Sequence, residues 1–171
     1  RIGIEQSRNL MTIRLAQDVG MEVISGYAER FGVYNKMQKL LAASLGAQET
    51  TLYKMVSSYA MFANGGERVV PTMVDRVQDR FGRTIYKHDK RVCTNCEKNI
   101  LEMGKSPFIN SNRERVLDPL TAFRLQSMMR GVVERGTARS VAIDGIEIAG
   151  KTGTTNDAKD VWFVGFTRNI V

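Results

Sequence analysis

The sequence predicts an α+β fold with an antiparallel sheet, and two observations lead to this prediction. Helical periodicity dominates the first 63 residues, whereas β-type alternation is confined to a hairpin pattern at 73–88 and to two strands at the end of the chain. One further helix pattern separates the hairpin from the final strands. Helices and strands are therefore segregated, which argues against a doubly wound nucleotide-binding fold.

The first part of the chain is predicted to be helical. Residues 10–31 carry the apolar spacing of one helix, or of two helices that meet near Gly20, and Gly32 is a plausible C-terminal cap. A short helix is predicted over residues 36–43. The pattern over residues 50–63 is cleaner, because threonines offer an N-cap and the sequence NGG ends the helix.

The second part is predicted to contain a hairpin, a helix and two strands. The hairpin turns at the sequence DRFG, which places Asp79 and Gly82 at the first and last turn positions. Residues 90–115 show no clear pattern, and we expect irregular structure there. A strong helix then begins after the capping residue Asp118 and ends at Gly136, and the final strands lie in the sequences IEIAGKTGT and VWFVGFT.

Composition and charge indicate a soluble globular domain. The chain has 171 residues, of which 43% are hydrophobic and 25% charged, enough for one domain with a core. Its net charge of +7 is scattered, and the densest basic stretch, at 76–91, is interpreted as a solvated hairpin surface. No nucleic-acid-binding module is recognisable, so we expect no nucleic-acid partner.

The ends of the sequence indicate a piece of a longer protein. No run reaches the length of a transmembrane helix, and no signal peptide is visible. The chain begins with Arg1 rather than methionine and ends at Val171 within an apolar stretch. The lack of a targeting segment therefore carries no information about location.

The only two cysteines, Cys93 and Cys96, form a C-x-x-C pattern. This pattern can be a redox pair, half of a zinc site or a local disulfide. A zinc site would need a carboxylate or an outside ligand, because His88 is the only histidine. We expect a short structural disulfide if the compartment is oxidising, with free surface thiols as the alternative.

The stretch GIEIAGKT, residues 145–152, matches the phosphate-binding P-loop pattern G-x-x-x-x-G-K-T. The residues between its glycines alternate like a strand, and nothing after Lys151 begins an amphipathic helix. A nucleotide-binding loop is therefore only a distant alternative. We expect Lys151 to lie on a strand, with Thr152 on the opposite face and Gly153 leaving the lysine's face open.

Two short motifs together point to chemistry. Ser7-Arg8-Asn9 offers a hydroxyl and an amide two residues apart, which alone would be no more than a helix cap. Combined with Lys151-Thr152-Gly153, it resembles the S-x-N and K-T-G motifs of penicillin-binding proteins and class A β-lactamases.

The resemblance extends over nearly the whole chain to the transpeptidase domain of class A, bifunctional penicillin-binding proteins. β-Lactamases fit poorly because they lack the ending GTTND…WFVGFT, and the loop at 88–115 is the least typical part. The similar segments occur in the family's order: SRNLMTIRLAQDVGMEVISGYAERFGV, SLGAQETTLYKMVSSYAMFANGG, GVVERGTA and GKTGTTNDAKDVWFVGFT.

The resemblance implies a D,D-transpeptidase that cross-links peptidoglycan stem peptides through an acyl-serine intermediate and also binds β-lactams. It implies that Ser7 passes a proton to the leaving amine and that Lys151 supplies positive charge. The backbone N–H of Thr154 would be one of two oxyanion-hole donors. Acyl-serine chemistry requires no cofactor and no metal, so neither is expected.

The resemblance also implies how substrate is held. Asn9 would bond the substrate's peptide carbonyl, and Thr152 and Thr154 would contact its terminal carboxylate. Gly153 would leave room for the substrate to lie along the strand. The family context implies a glycosyltransferase domain elsewhere in the protein and an anchor that holds it at the extracytoplasmic face of the bacterial cytoplasmic membrane.

The family's nucleophile motif, S-x-x-K, is absent, because no serine of this chain is followed by lysine at the third position. In the family this motif precedes S-x-N, so we expect it upstream of Arg1, with the last sheet strand downstream of Val171. Residues 1–171 are thus expected to be part of a single transpeptidase domain, inactive alone and dependent on the remainder of its own chain. The alternative is a peptide-binding relative that has lost its serine.

Overall fold

The computed structural model describes residues 1–96, 107–111 and 113–171. Two compact units are formed, one by residues 1–69 with 115–171 and the other within residues 70–114. No helix in the described residues is both long enough and apolar enough to cross a membrane. The α+β class predicted from the sequence is confirmed.

The described ranges contain five α-helices, all in the larger unit, and this unit also contains short 3-10 turns at Leu41–Leu45, Arg139–Val141 and Asn156–Ala158. In chain order they are α1 (Ile2–Glu5), α2 (Asn9–Val19), α3 (Met21–Arg30), α4 (Leu52–Ala63) and α5 (Pro119–Arg135).

Six strands in the described part of the chain form three separate antiparallel pairs, β1 with β2, β3 with β4 and β5 with β6. The first two pairs lie in the smaller unit and the third in the larger one. In chain order the strands are β1 (Arg76–Gln78), β2 (Thr84–Lys87), β3 (Val92–Thr94), β4 (Phe108–Asn110), β5 (Ala149–Thr154) and β6 (Val161–Phe166).

The helix boundaries predicted from local signals are confirmed. Gly20, with φ +89°, separates α2 from α3. At the end of α3, Gly32 adopts φ +71° and its N–H donates to the Glu29 carbonyl, a helix-ending turn that favours glycine. Thr51 and Asp118 cap α4 and α5, since each side chain accepts a hydrogen bond from the backbone N–H of the third residue of its helix.

The prediction of a short helix over residues 36–43 is wrong. Only the 3-10 turn Leu41–Leu45 forms in this region. Side chains satisfy the preceding backbone instead. The Gln48 amide accepts from Gln38 N–H at 2.7 Å and donates to the Lys36 carbonyl at 2.9 Å, and Glu29 accepts from Met37 N–H. These side-chain hydrogen bonds take the place of the backbone hydrogen bonds that a helix would form.

Two other expectations need correction. The irregular structure expected over residues 90–115 contains the β3–β4 pair, whose strands of three residues are too short for alternation to reveal. The strand expected from Ile146 onward begins only at Ala149, after an isolated bridge between Ile143 and Ile146. The hairpin around Asp79 is confirmed.

Helix α5 lies at the centre of the larger unit. Its residues Ala122 and Val132 are completely buried. Met129 packs with Ala149 and Phe166 of the β5–β6 pair, while Val132 packs with neighbours that include Ile4 of α1. Since α5 contacts both α1 and β5, it brings the two ends of the sequence together.

Candidate active site

Ser7 occupies a helix-ending turn that displays its side chain. The N–H of Ser7 donates to the Ile4 carbonyl at 3.3 Å, and that of Arg8 to the Gly3 carbonyl at 2.9 Å. This pair of bonds puts Ser7 in the left-handed region, with φ +51°. A residue with a side chain pays about 1–2 kcal/mol for that conformation, and such outliers cluster at functional sites.

The Ser7 hydroxyl meets Lys151 of β5, as expected from the two motifs. Lys151 Nζ donates to Ser7 Oγ at 2.8 Å and to the Thr152 carbonyl at 3.0 Å. An ammonium has only donors, so Ser7 is the acceptor and its own hydrogen is left for another group. Partial burial lowers the pKa of Lys151 below its ordinary value.

One edge of β5 is free of other strands. Among the described strands β5 pairs with β6 alone, with Lys151 opposite Val164 and Thr154 opposite Val161. Thr155 N–H donates to the Asp160 carbonyl, on the β6 side. Because successive peptide groups of a strand point to opposite sides, the N–H of Thr154 faces the free edge.

The two glycines of β5 have different surroundings. A Cβ on Gly150 would come within 2.6 Å of the Phe163 ring and of the Val164 carbonyl, so packing requires glycine there. A Cβ on Gly153 would meet nothing within 4 Å. Gly153 therefore lies beside open space, next to the lysine that contacts Ser7.

The structure does not join all the predicted site residues. Ser7, Lys151 and Thr152 share one hydrogen-bonded group, in which Lys151 Nζ also reaches Thr152 Oγ1 at 3.5 Å despite the strand alternation. Asn9, at the start of α2, and Thr154 are exposed, and their side chains make no hydrogen bond to the described part of the chain.

Thr137 is a member of this group that sequence reasoning missed. Its hydroxyl lies 2.7 Å from Thr152 Oγ1, and its N–H donates to the Glu5 carbonyl at 3.2 Å. Thr137 directly follows Gly136, which ends α5. It lay within the quoted segment GVVERGTA, but no spacing rule connects that segment with Thr152.

An ion pair that sequence reasoning also missed fixes α1 against α5. The Glu5 carboxylate, 5% exposed, accepts from Arg135 Nη2 at 2.6 Å and Nε at 3.1 Å and from Arg1 Nε at 2.8 Å. Hydrogen bonds from Arg135 and then from Arg1 lower the pKa of Glu5 to about 2. A bidentate arginine of this kind holds a carboxylate in one orientation.

Close approach of the two helices depends on glycines. A Cβ on Gly131 would lie 2.2 Å from Glu5 Oε1, and one on Gly136 would lie 2.2 Å from the Glu5 carbonyl. Since Ser7 follows Glu5 by two residues, this contact sets where the Ser7 turn lies relative to α5 and hence to β5.

The P-loop alternative does not fit the structure. Gly145 lies in a turn with φ +78°, whereas Gly150 lies within β5. The strand continues through Lys151 to Thr154, and β6 returns beside it after a short 3-10 turn. The strand–loop–helix order that a P-loop requires is absent from this part of the described chain.

The cysteines lie in the smaller unit. Cys93 is on β3 and Cys96 follows it, and the structure joins them as a disulfide with Cα atoms 5.7 Å apart. Within the described ranges no cluster of three or more His, Cys, Asp or Glu side chains could hold a metal ion.

The chain belongs to the family of penicillin-binding protein transpeptidase domains, whose sequence profile matches residues 1–169. Penicillin-binding protein 1A of Rickettsia bellii is 43% identical over 173 residues, which cover 100% of this chain and 22% of that protein. The chain thus spans about a fifth of that relative's length.

Solved structures agree with this assignment. Penicillin-binding protein 1A of Haemophilus influenzae superposes with a TM-score of 0.75 at 26% identity, over 96% of this chain and 28% of that one. The D,D-transpeptidase domain of a peptidoglycan glycosyltransferase from Eggerthella lenta has the same fold, with a TM-score of 0.71 at 24% identity, over 97% of this chain and 44% of that one.

Proposed function

We propose that this chain is part of a D,D-transpeptidase that cross-links peptidoglycan stem peptides through an acyl-serine intermediate and is acylated by β-lactams. The observation that carries the proposal is the 2.8 Å contact between Lys151 Nζ and Ser7 Oγ beside the free edge of β5. Membership of the penicillin-binding protein family supports the same conclusion.

The nucleophile is supplied by a segment outside these residues. No serine of the chain has a lysine at the third position after it, and the Rickettsia bellii relative is more than four times as long. We infer that residues 1–171 lie within a single transpeptidase domain that the rest of the protein completes. The resemblance to class A proteins supports a glycosyltransferase domain elsewhere and an anchor at the extracytoplasmic face of the membrane.

The donor peptide lies along the free edge of β5, as an added strand would. Its terminal carboxylate is held by the charge of Lys151 and by the hydroxyls of Thr152 and Thr154. Open space beside Gly153 accommodates the peptide. The exposed Asn9 amide bonds the peptide carbonyl from the other side of the site.

Acylation then proceeds with Ser7 as proton donor. The nucleophile's oxygen attacks the carbonyl of the D-Ala–D-Ala bond, and the Thr154 N–H at the free edge stabilises the oxyanion, a type of contribution of about 3 kcal/mol. As the C–N bond breaks, Ser7 gives its hydroxyl hydrogen to the leaving nitrogen. Ser7 is reprotonated by the proton that the nucleophile loses, while the Lys151 ammonium stabilises charge on its oxygen.

The test uses the longer protein that contains this chain and a fluorescent penicillin. Lys151→Ala should slow covalent labelling at least a hundredfold, since it removes the charge that binds the carboxylate and the donor to Ser7. Lys87→Ala, which changes an exposed lysine of β2, is the matched control and should label like wild type. An intact, folded protein that is not labelled would favour the peptide-binding relative that lacks a nucleophile.

We also propose that Cys93 and Cys96 form a structural disulfide in the mature protein, as an oxidising compartment would allow. Their Cα separation of 5.7 Å supports it. Mass analysis of the purified protein should show a gain of two hydrogens on reduction, whereas two freely alkylated thiols would contradict the proposal.

A further inference from the structure

We infer that Thr137 is a positioning residue for substrate binding: it orients the hydroxyl of Thr152 so that Thr152 donates to the carboxylate of the donor peptide. The inference rests on the proposed function. It starts from the 2.7 Å distance between Thr137 Oγ1 and Thr152 Oγ1, a contact that joins the end of α5 to β5.

Hydrogen bonds hold the backbone of Thr137 in place, which makes its side chain suited to orient another side chain. Its N–H donates to the Glu5 carbonyl at 3.2 Å, and the preceding Arg135 carbonyl accepts from the Gln6 amide at 3.1 Å. The Arg135 guanidinium holds the Glu5 carboxylate. The backbone leading into Thr137 is therefore tied to Glu5 and Gln6 at the end of α1, while the Thr137 hydroxyl faces β5.

Either hydroxyl can donate in the contact between Thr137 and Thr152, and the direction decides which group the Thr152 hydrogen can reach. A hydroxyl has one hydrogen to donate and two lone pairs that accept. Lys151 Nζ, 3.5 Å from Thr152 Oγ1, has only donors. If Thr137 also donates, both lone pairs of Thr152 are occupied and its hydrogen is left for a third group.

A bound carboxylate selects this arrangement. A carboxylate only accepts, so Thr152 must donate to it. In the reverse arrangement Thr152 would donate to Thr137 and present lone pairs to the negative charge. With Thr137 as donor, the Thr152 hydroxyl has the orientation that a bound carboxylate requires, which is a form of preorganisation.

The test compares a penicillin with its methyl ester, which lacks the free carboxylate, on the longer protein that contains this chain. The second-order rate of acylation is measured for wild type, Thr137→Val and Thr137→Ser. With penicillin, the valine variant should be slower by about tenfold, the effect of one hydrogen bond to a charged group. With the ester it should differ from wild type by less than about twofold, and serine should restore the rate with penicillin.

A role that is only structural would give a different result, because it would slow both probes equally. An equal loss on both probes, or no loss on either, would overturn the inference. Thr137→Ala removes the same hydroxyl and replaces the valine variant if that protein does not fold. If wild type itself is not acylated by penicillin, the proposed function fails and this inference fails with it, an outcome distinct from an acylated wild type with an unaffected variant.

Discussion

Ser7 combines a strained backbone conformation with a side chain that lies in the candidate active site. The left-handed turn that ends α1 favours glycine, yet serine is present and its hydroxyl contacts Lys151. The strain alone would favour replacement of serine by glycine. The proposed role of the Ser7 hydroxyl as proton donor accounts for a serine at this position, an inference from an observed backbone outlier to function.

Substitutions at Ser7 should affect stability and activity differently. Ser7→Gly and Ser7→Ala both remove the hydroxyl, so both should slow acylation of the longer protein by roughly a hundredfold or more. Glycine relieves about 1–2 kcal/mol of left-handed strain and loses about 0.4–1 kcal/mol through the freedom of the unfolded chain. Denaturant unfolding should therefore find the glycine variant more stable than the alanine variant by up to about 1.6 kcal/mol. The opposite order of stabilities would refute the strain argument.

At the scale of elements, α1 is a helix of four residues that depends on its neighbour. Isolated helices of this length do not form in water. Its position comes from Glu5, which two arginines hold, and from the glycines that let α5 approach. The S-x-N turn is thus placed by an ion pair that lies outside both motifs.

The Glu5 ion pair should make stability depend on acid pH. The pKa of Glu5 is 4.5 ordinarily and about 2 in the folded chain, so the unfolded state binds a proton first. The stabilisation is present above pH 4.5 and is lost as the pH falls towards about 2. The free energy of unfolding, measured across this window, should fall more steeply for wild type than for Glu5→Gln. Equal slopes in the two proteins would show that Glu5 does not contribute.

A side chain at Gly131 should displace the Glu5–Arg135 ion pair. In Gly131→Ala the new Cβ would lie 2.2 Å from Glu5 Oε1 and 2.5 Å from Arg135 Nη2, so the ion pair must move. We expect a loss of about 1–3 kcal/mol in the free energy of unfolding, typical of overpacking, and slower acylation because the Ser7 turn shifts. Gly26→Ala is the matched control, since it lies in α3 with open space around it and should gain about 0.5–1 kcal/mol. Similar effects of the two substitutions would contradict the close approach.

At the scale of the whole molecule, acylation should require the complete active site. The 171-residue chain purified alone should form no covalent adduct with a fluorescent penicillin, because the chain has no S-x-x-K motif and the proposed function places the nucleophile and half of the oxyanion hole outside it. The longer protein should be labelled at an upstream serine. Labelling of the isolated chain at Ser7 or any other serine would show that the nucleophile is misassigned.

The features that could be predicted from the sequence are those determined by interactions between residues close together in the chain. Helices α2 to α5 and the hairpin carry their own capping and turn residues, and local patterns therefore located them. The β3 and β4 strands and α1 are too short for periodicity, and their neighbours determine them. The proximity of Ser7 and Lys151 followed from family resemblance, whereas the contacts of Thr137 and Glu5 join distant segments and have no local signature.

The free edge of β5 has a consequence for selectivity. A free strand edge binds the main-chain N–H and carbonyl groups of a peptide, which are the same in every peptide. It therefore contributes affinity but does not discriminate between peptide sequences. If the proposed stem peptide binds there, its side chains must be recognised where they project away from the strand, by surfaces that flank β5. We expect relatives with the same strand edge to differ in substrate specificity because their flanking surfaces differ, while the edge itself stays unchanged.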